Sequence, residues 1–342
     1  MTIVGCVGRT DHYIELGEVF YDKQSQIGTT ERRVDVYLYF LGTGAGKPSL
    51  QRNVTSITLK LPAPSKEIWM FDCGEGTQHQ ILTAPFNLHR VTQVFITHLH
   101  GDHIFGLPGL LGSRSFSTEA TNLTIYGPPG IRDFVQSSLR ISGTHLRYPL
   151  EVQEVKPGDV LQLESWIVKV GLLEHGLPSY GYRVEEPPRL GKLRVHELEQ
   201  LGIPSGPIYG RLKRGETVIL DDGRSIDGKD FVCAPRRGRH IVILGDTRYC
   251  PSAIELSQQA DVVVHEATFA DALANKAYDY FHSTTVQAAT VAAAAQVKQL
   301  ILTHLGSRYR PQDYGTFLAE AQQVFSNTVL AEDHRMVEIP RA

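Results

Sequence analysis

The sequence predicts a layered α/β fold. Apolar segments of strand length alternate with helical segments along the chain, as expected for sheets packed against helices. Hydrophobic residues make up 42% and charged residues 21% of the 342 residues, which is ordinary for a globular protein. Two segments, 93–98 and 299–304, are both apolar strands that end in Thr-His. This similarity suggests two related halves with a site between them.

The strand pattern begins at Val34, where an apolar segment over 34–41 runs into the glycine cluster 42–46. The cluster lacks the G-K-[ST] ending of a P-loop, so we interpret it as a tight turn near a site. Apolar or alternating patterns predict further strands at 56–61, 68–72, 94–97, 123–126, 166–170, 241–244 and 261–265. Helical patterns begin at Thr77 and cover 109–111, 131–139 and 283–297.

Composition and charge argue against several classes of protein. The formal net charge of -3 gives no global positive field, so nucleic-acid binding would depend on local patches. No apolar run approaches the ~20 residues that span a bilayer, and the first residues lack a secretory signal pattern. Four scattered cysteines form no C-x-x-C pair, which suits a reducing compartment. We therefore expect a cytoplasmic protein with no membrane segment.

The domain organisation is expected to be simple. Residues 1–33 are an N-terminal extension of unknown role, and 34–342 form one domain. The segment at about 185–230 differs from the rest of the chain in its prolines and its clustered basic residues. We interpret it as an insertion that projects from the core. Its basic residues are Arg189, Lys192, Arg194, Arg211, Lys213 and Arg214. The residues alone leave open whether this insertion has a function or is a solvent-exposed segment without one.

The run His98-Leu99-His100-Gly101-Asp102-His103 directly follows a predicted buried strand. Four side chains able to bind metal within six residues favour a metal site over a histidine-rich surface loop. His98 and His100 can reach one ion from an extended segment, and after Gly101 the side chains of Asp102 and His103 can reach a second. A dinuclear site of that kind ionises water and supports displacement at phosphorus or carbonyl carbon.

A dinuclear site needs further ligands, and three candidates come just after apolar strands. These are His175, Asp246 and His304. Taken singly, a histidine after a strand is more often a structural residue than a ligand. The preceding H-x-H-x-D-H run makes all three credible ligands.

These residues resemble the metallo-β-lactamase superfamily. Four further segments resemble its ribonuclease Z branch, namely Phe71–Gln78, Gly101–Leu111, His265–Thr268 and Tyr280–Thr285. The resemblance runs from about Val36 to Pro340. It implies an αβ/βα four-layer sandwich with a protruding arm, formed here by the insertion.

The resemblance also implies the metal ligands. His98, His100 and His175 would hold one Zn²⁺, and Asp102, His103 and His304 the other. Asp246 would bridge the two ions, with a hydroxide between them as the nucleophile. Imidazole and carboxylate suit zinc, and such ions lower the pKa of bound water from 15.7 to about 7.

Three residues are implied to act as catalytic groups. Asp102 would accept a proton from the attacking water in addition to binding metal, although a role as ligand alone remains open. Glu266 and His282 would assist departure of the 3′ oxygen, since a carboxylate that holds an imidazolium is a sound general acid. A structural helix-capping cluster is the alternative for this pair. Asp72 is expected to orient a metal ligand.

The implied reaction is removal of the 3′ trailer from precursor tRNA, which leaves a 3′ hydroxyl on the tRNA and a 5′ phosphate on the trailer. The implied assembly is a homodimer. The expected RNA contacts are Arg52, Gly206, Pro207, Arg211, Lys213, Arg214 and Arg308. Leu50 stands where the family loop has a lysine, so discrimination against CCA-bearing tRNA is open.

Two other interpretations remain possible at this point. A phosphodiesterase of the same fold acting on small substrates would keep every metal ligand and could dispense with the arm. A non-catalytic RNA-binding scaffold would be expected to have lost ligands, and none is missing. The basic insertion favours RNA over a small substrate.

Overall fold

The computed structural model describes residues 36–119 and 121–341, so the predicted N-terminal extension 1–33 lies outside the described residues. Within this range the strands, in chain order, are β1 (Tyr37–Gly42), β2 (Gly44–Ala45), β3 (Ser56–Lys60), β4 (Ile68–Phe71), β5 (Val91–Phe95), β6 (Leu123–Gly127), β7 (Leu150–Glu154), β8 (Val160–Leu163), β9 (Trp166–Leu173), β10 (Ser179–Glu185), β11 (Thr217–Ile219), β12 (Ser225–Asp227), β13 (His240–Leu244), β14 (Val262–Glu266), β15 (Gln299–Thr303), β16 (Leu305–Gly306), β17 (Thr328–Leu330) and β18 (Met336–Glu338). The α-helices are α1 (Thr77–Ile81), α2 (Gly101–Ile104), α3 (Leu107–Arg114), α4 (Ile131–Ser142), α5 (Val195–Gln200), α6 (Pro207–Lys213), α7 (Pro251–Ser257), α8 (Ala274–Asp279), α9 (Thr285–Ala294) and α10 (Tyr314–Val324).

Two seven-stranded sheets form the centre of the domain. The first has the order β18-β1-β3-β4-β5-β6-β7, and the second has the order β17-β15-β14-β13-β10-β9-β8. One apolar core lies between the sheets, and two more lie under the outer helices. The predicted four-layer α/β sandwich is therefore confirmed.

Strands such as β4 and β13 are almost entirely apolar because both of their faces are buried. In β13, Ile241 and Ile243 point into the core between the sheets, whereas Val242 and Leu244 pack against the outer helices. Alternate residues of β4 divide in the same way between the central and the outer core. Continuous apolar runs are what strands buried on both faces require.

The carboxyl ends of parallel strands face a common cleft. In the first sheet β4 and β5 are parallel, and in the second β13, β14 and β15 are parallel. A polar residue lies at the end of each of these strands or within two residues beyond it, as is usual for binding sites in α/β proteins. The similar segments 93–98 and 299–304 contain the end of β5 and the whole of β15, and they end at His98 and His304.

The segment between β10 and β13 is the predicted insertion, here called the arm. It contains α5, α6, β11 and β12 and has its own small apolar cluster, which consists of Leu198, Ile203, Leu212, Val218 and Ile226. The backbones of Arg189 and Arg236 exchange two hydrogen bonds of 2.9 and 3.0 Å, which closes the base of the arm. The arm therefore ends near residue 236, beyond the expected 230.

Several elements were not predicted from the sequence. Strand β10 reads Ser-Tyr-Gly-Tyr-Arg-Val-Glu, yet its first six residues are buried in the middle of the second sheet. Helix α10 has few strongly apolar residues and lies on the outer face of that sheet. None of the helices in the described part of the chain has the length and apolar character of a membrane span.

Candidate metal centre

Three histidines from separate segments converge at the first position of the cleft. His98 Nε2 lies 3.0 Å from His100 Nδ1, and His175 Nε2 lies 3.1 Å from the same atom. His98 and His100 follow β5, and His175 follows β9. Three ring nitrogens at this spacing are arranged as ligands around one ion of zinc size.

Two histidines and two carboxylates form the second position. His304 Nε2 lies 3.3 Å from Asp102 Oδ2 and 3.3 Å from Asp246 Oδ2. His103 Nε2 lies 3.6 and 3.5 Å from the same two oxygens. Asp102 and His103 are in α2, immediately after the extended His98–His100 segment.

Asp246 belongs to both positions. Its Oδ2 atom also lies 3.7 Å from His98 Nε2, so one oxygen faces both sets of ligands. Gly245 brings it there, because a Cβ at Gly245 would lie 2.6 Å from the Thr97 Cβ of the other half. The structure therefore brings together all seven of the predicted metal ligands.

Hydrogen bonds away from the cleft fix the histidines of the first half. Asp72 Oδ2 accepts from His103 Nδ1 at 2.7 Å and from the Thr97 hydroxyl at 2.8 Å. The Thr97 hydroxyl oxygen lies 3.0 Å from His98 Nδ1. Carboxylate and hydroxyl partners of this kind leave the other ring nitrogen free for a metal ion.

The second half repeats this arrangement. Glu266 Oε2 accepts from the Thr268 hydroxyl at 2.7 Å, and that hydroxyl oxygen lies 2.9 Å from His304 Nδ1. Glu266 Oε1 lies 2.8 Å from His282 Nδ1, just as Asp72 contacts His103. Each half thus contains a carboxylate, a threonine and two histidines in the same spatial arrangement, with Thr268 in the place that Thr97 takes in the first half. Thr97 and Thr268 were not predicted as supporting residues.

The segment that carries His282 is held by an arginine that sequence reasoning also missed. The Arg248 guanidinium lies 3.8 Å from the ring centre of Phe281 and 3.9 Å from that of Tyr278. Phe281 has a φ of 61°, which a bulky residue rarely adopts, and its carbonyl accepts from His175 Nδ1 at 2.8 Å. This contact joins the first metal position to the Glu266–His282 pair.

The charges of the cleft suit cations. The pKa of His98 and of His100 is lowered by burial and by the neighbouring histidines, so both rings are neutral. Burial would raise the pKa of Asp246, but His304 and His103 hold that pKa well below its usual range. Burial would lower the pKa of His103, but Asp246 and Asp72 raise it well above its usual range, so this ring must lose a proton when a metal ion binds.

One buried atom shows directly that the residues fit a metal. His103 Nε2 is buried, and it has no hydrogen-bond partner among residues 36–119 and 121–341. Its other nitrogen is committed to Asp72, so the free nitrogen points at the two aspartates. A buried ring nitrogen without a hydrogen-bond partner reduces the stability of the fold unless a metal ion binds to it.

The Glu266–His282 pair lies beside the second metal position. His282 Nδ1 is 3.9 Å from Asp246 Oδ2 as well as 2.8 Å from Glu266 Oε1. Burial would lower the pKa of His282, but the carboxylates of Glu266 and Asp246 outweigh it and raise that pKa to about 9. The pair is also next to the N-terminus of α9, which Thr284 caps in a capping box.

The predicted RNA contacts lie in different surroundings. Arg52 is buried and donates to Thr43 Oγ1 and to the Ala331 carbonyl at 2.6 Å each. It braces the loop whose Gly46 N–H donates to Asp102 Oδ2 at 2.7 Å. Arg308 is exposed and stacks on Phe269. Gly206, Pro207, Arg211, Lys213 and Arg214 are all in the arm, where Arg211 and Arg214 both pair with Glu216.

A four-layer sandwich with this His and Asp cluster in the cleft at the ends of its strands defines a metallohydrolase of the β-lactamase superfamily. The family described as a beta-lactamase superfamily domain matches residues 230–305, and that described as anti-Pycsar protein Apyc1 matches residues 36–181. The fold is also shared with YhfI of Bacillus subtilis, a metallo-β-lactamase fold protein, at 18% identity and a TM-score of 0.62 over 89% of this chain and 99% of that one.

Closer relatives identify the branch. Ribonuclease Z of Geobacillus kaustophilus is 54% identical over 89% of this chain and 99% of its own length. Ribonuclease Z of Lactiplantibacillus plantarum is 51% identical over 89% and 98%. The crystal structure of human tRNase Z, short form, has 32% identity and a TM-score of 0.64, covering 89% of this chain and 99% of that one. The chain belongs to the ribonuclease Z family, and the prediction of an endoribonuclease of the hydrolase class is confirmed.

Proposed function

We propose that the protein is a zinc-dependent endoribonuclease that removes the 3′ trailer from precursor tRNA. The observation that carries this proposal is the convergence of His98, His100, His175, Asp102, His103, His304 and Asp246 in a ribonuclease Z relative. The human relative is named a tRNase, which supports tRNA as the substrate. The proposed products are a tRNA with a 3′ hydroxyl and a trailer with a 5′ phosphate.

The two positions in the cleft are proposed to hold one Zn²⁺ each. His98, His100 and His175 would bind the first ion, and Asp102, His103 and His304 the second, with Asp246 shared. Two such ions, when bound, lower the pKa of a water molecule and neutralise charge on the scissile phosphate. The nitrogen and oxygen ligand set favours zinc over magnesium or calcium, which prefer oxygen alone.

Asp102 and His282 are proposed to move the protons. Asp102 borders the cleft and is partly exposed, so it can take the proton of the attacking water. His282 stays protonated at neutral pH because Glu266 holds it, so it can give a proton to the departing 3′ oxygen. Asp102 and His282 both lie close to Asp246, which permits acid and base to act on one phosphate.

The arm is proposed to bind tRNA away from the cleavage site. Its basic residues include Lys213, Arg211 and Arg214, and lysine and arginine on a projecting element add affinity through backbone phosphates. The arm's own apolar cluster supports a role as a separate binding element rather than a loose loop. Contacts of Arg52 and Arg308 with RNA stay predictions, and the buried Arg52 would act by shaping its loop.

We further propose a homodimer. The outer layer of the first sheet exposes large apolar side chains in α4 and just after α1, α2 and α3, namely Ile141, Leu82, Phe105 and Phe116. Phe116 is 84% exposed, and exposed apolar groups on one layer are typical of a contact surface. Sedimentation should give the mass of two 38.0 kDa chains for the protein and a lower mass for Phe116→Ser. A monomer for the unmodified protein would contradict this assembly.

Product mapping tests the proposed reaction. The zinc-loaded protein is incubated with a precursor tRNA that carries a 3′ trailer, and the ends of both products are sequenced. The expected result is a single cut at the end of the tRNA, with a 3′ hydroxyl and a 5′ phosphate. Hydrolysis of small phosphodiesters with no cut in precursor tRNA would instead favour a small-substrate phosphodiesterase.

A further inference from the structure

A carboxylate between β17 and β18 holds the loop that reaches Asp102. This loop covers residues 43–53 and is here called the cleft loop. Its Gly46 N–H donates to Asp102 Oδ2 at 2.7 Å. We propose that Asp333 is a positioning residue, which sets the orientation of the Asp102 carboxylate by holding both ends of the cleft loop. The proposal rests on the metal-binding role proposed for Asp102.

The Asp333 carboxylate accepts a hydrogen bond from each end of the cleft loop. Thr43 Oγ1 donates to its Oδ1 at 2.7 Å, and the Asn53 N–H donates to its Oδ2 at 2.6 Å. Gln80 Nε2, in α1, donates to the same Oδ2 at 3.0 Å. Hydrogen bonds to a carboxylate are shorter and stronger than those between neutral groups. One side chain therefore fixes where the loop begins and where it ends.

The tip of the cleft loop depends on these ends for its place on the protein. Residues 46–50 are exposed to solvent. The Gly44 N–H donates to the Asn53 carbonyl at 2.8 Å, and the Ser49 N–H donates to the Arg52 carbonyl at 2.8 Å. Both of these bonds lie within the loop, so they set its shape, whereas its location is set by the contacts at its ends.

The oxygen that accepts from Gly46 is the one that faces the second metal position. Asp102 Oδ2 is also the atom that lies 3.3 Å from His304 Nε2 and 3.6 Å from His103 Nε2. A carboxylate oxygen has two lone pairs, so the Gly46 N–H can take one while a metal ion takes the other. A shift of the loop would therefore turn the oxygen that faces the metal.

The first end of the cleft loop also adjoins another proposed ligand of the second position. The Leu305 N–H donates to the Thr43 carbonyl at 3.0 Å, and β2 pairs with β16 directly after His304. His304 has a φ of 58°, which is uncommon for a residue other than glycine, so its backbone depends on such contacts. Loss of Asp333 should therefore disturb ligands on both sides of the second position.

Cobalt substitution tests the proposal without reference to RNA. The visible absorption of bound Co²⁺ reports the geometry of its ligands, and it is recorded for the unmodified protein, Asp333→Ala, Asp333→Asn and Glu332→Ala with both positions loaded. Glu332→Ala is the control, because it removes a neighbouring exposed carboxylate. We expect an altered spectrum in Asp333→Ala, a smaller change in Asp333→Asn, which keeps one acceptor oxygen, and none in the control. Identical spectra in all of the folded proteins, with folding checked by circular dichroism, would overturn the proposal.

A double-mutant cycle tests whether Asp333 acts through Asp102. Hydrolysis of a nitrophenyl phosphodiester is measured for Asp333→Ala, Asp102→Ala and the double variant, so the result does not depend on whether precursor tRNA is the substrate. Asp333→Ala should lower kcat about 10- to 100-fold with little change in KM, as expected for a residue that orients a metal ligand. It should have little further effect once Asp102→Ala has removed the oxygen that Gly46 contacts. Effects of the two substitutions that simply add would contradict the proposal.

Discussion

Two threonine hydroxyls connect buried carboxylates to metal-facing histidines. Thr97 lies between Asp72 and His98, and Thr268 lies between Glu266 and His304. The sequence predicted every proposed ligand because His and Asp side chains after strands are conspicuous. It did not predict the threonines, because a threonine at a strand end has many other uses. These two threonines differ from the others because each contacts both a carboxylate and a histidine, and only the folded structure reveals those contacts.

Asp102→Asn should reduce cleavage of precursor tRNA by about 10³-fold or more, because it removes the proposed proton acceptor and weakens a metal ligand. Asn and Asp have the same shape, so the variant should fold. Single-turnover cleavage, zinc content and circular dichroism are measured together. Near-normal cleavage with a full zinc complement would remove Asp102 from the mechanism.

Asp72→Asn should lower zinc affinity about 10- to 100-fold, because Asp72 orients His103 and, through Thr97, His98. Asp72 has a φ of 58°, and asparagine tolerates that conformation, so the backbone should persist. Competition with a zinc chelator gives the affinity. The control is Glu67→Gln, which alters a carboxylate that accepts from Thr92 near the opposite end of β4. Equal affinities in the two variants would contradict the role given to Asp72.

His282→Ala should slow cleavage of precursor tRNA by about 10²–10⁴-fold, because the leaving oxygen would lose its proton donor. A phosphodiester with a nitrophenolate leaving group needs no such proton, so its hydrolysis should be much less affected. Turnover of both substrates by the variant, with zinc content as the control, separates the two cases. An equal loss on both substrates would favour a structural or metal-binding role for His282.

At the scale of elements, the sequence predicted those strands that contain a continuous apolar run, such as β13 and β14, because both faces of these runs are buried. Strand β10 was not predicted because its buried residues include Ser179, Gly181 and Arg183. Arg183 is accommodated by Glu185 and by two backbone carbonyls, and these contacts depend on the tertiary structure. Short patterns cannot reveal such partners.

Deletion of the arm should separate two activities. Residues 190–235 are replaced by a short glycine linker, because the paired backbones of Arg189 and Arg236 bring the two ends together. The arm has its own apolar cluster, so the two-sheet domain should remain folded. Cleavage of precursor tRNA should be lost while hydrolysis of a small phosphodiester is retained. If both fell equally, with the fold intact, the arm would be a structural element.

At the scale of the molecule, the two sheets place their parallel strand ends on one cleft, and each half supplies ligands to it. The first half gives the segment after β5 together with α2, and the second gives Asp246, His304 and the Glu266–His282 pair. The resemblance in the sequence anticipated this architecture, whereas spacing alone could not tell which distant histidines meet. The division of the chain into an extension at 1–33 and a domain at 34–342 stays a prediction of the sequence.

Zinc-edge anomalous diffraction from crystals of the zinc-loaded protein tests the central claim most directly. The account predicts two anomalous peaks about 3.5–4 Å apart. One peak should be bounded by His98, His100 and His175, the other by Asp102, His103 and His304, with Asp246 between them. A single peak, or peaks away from these side chains, would contradict it.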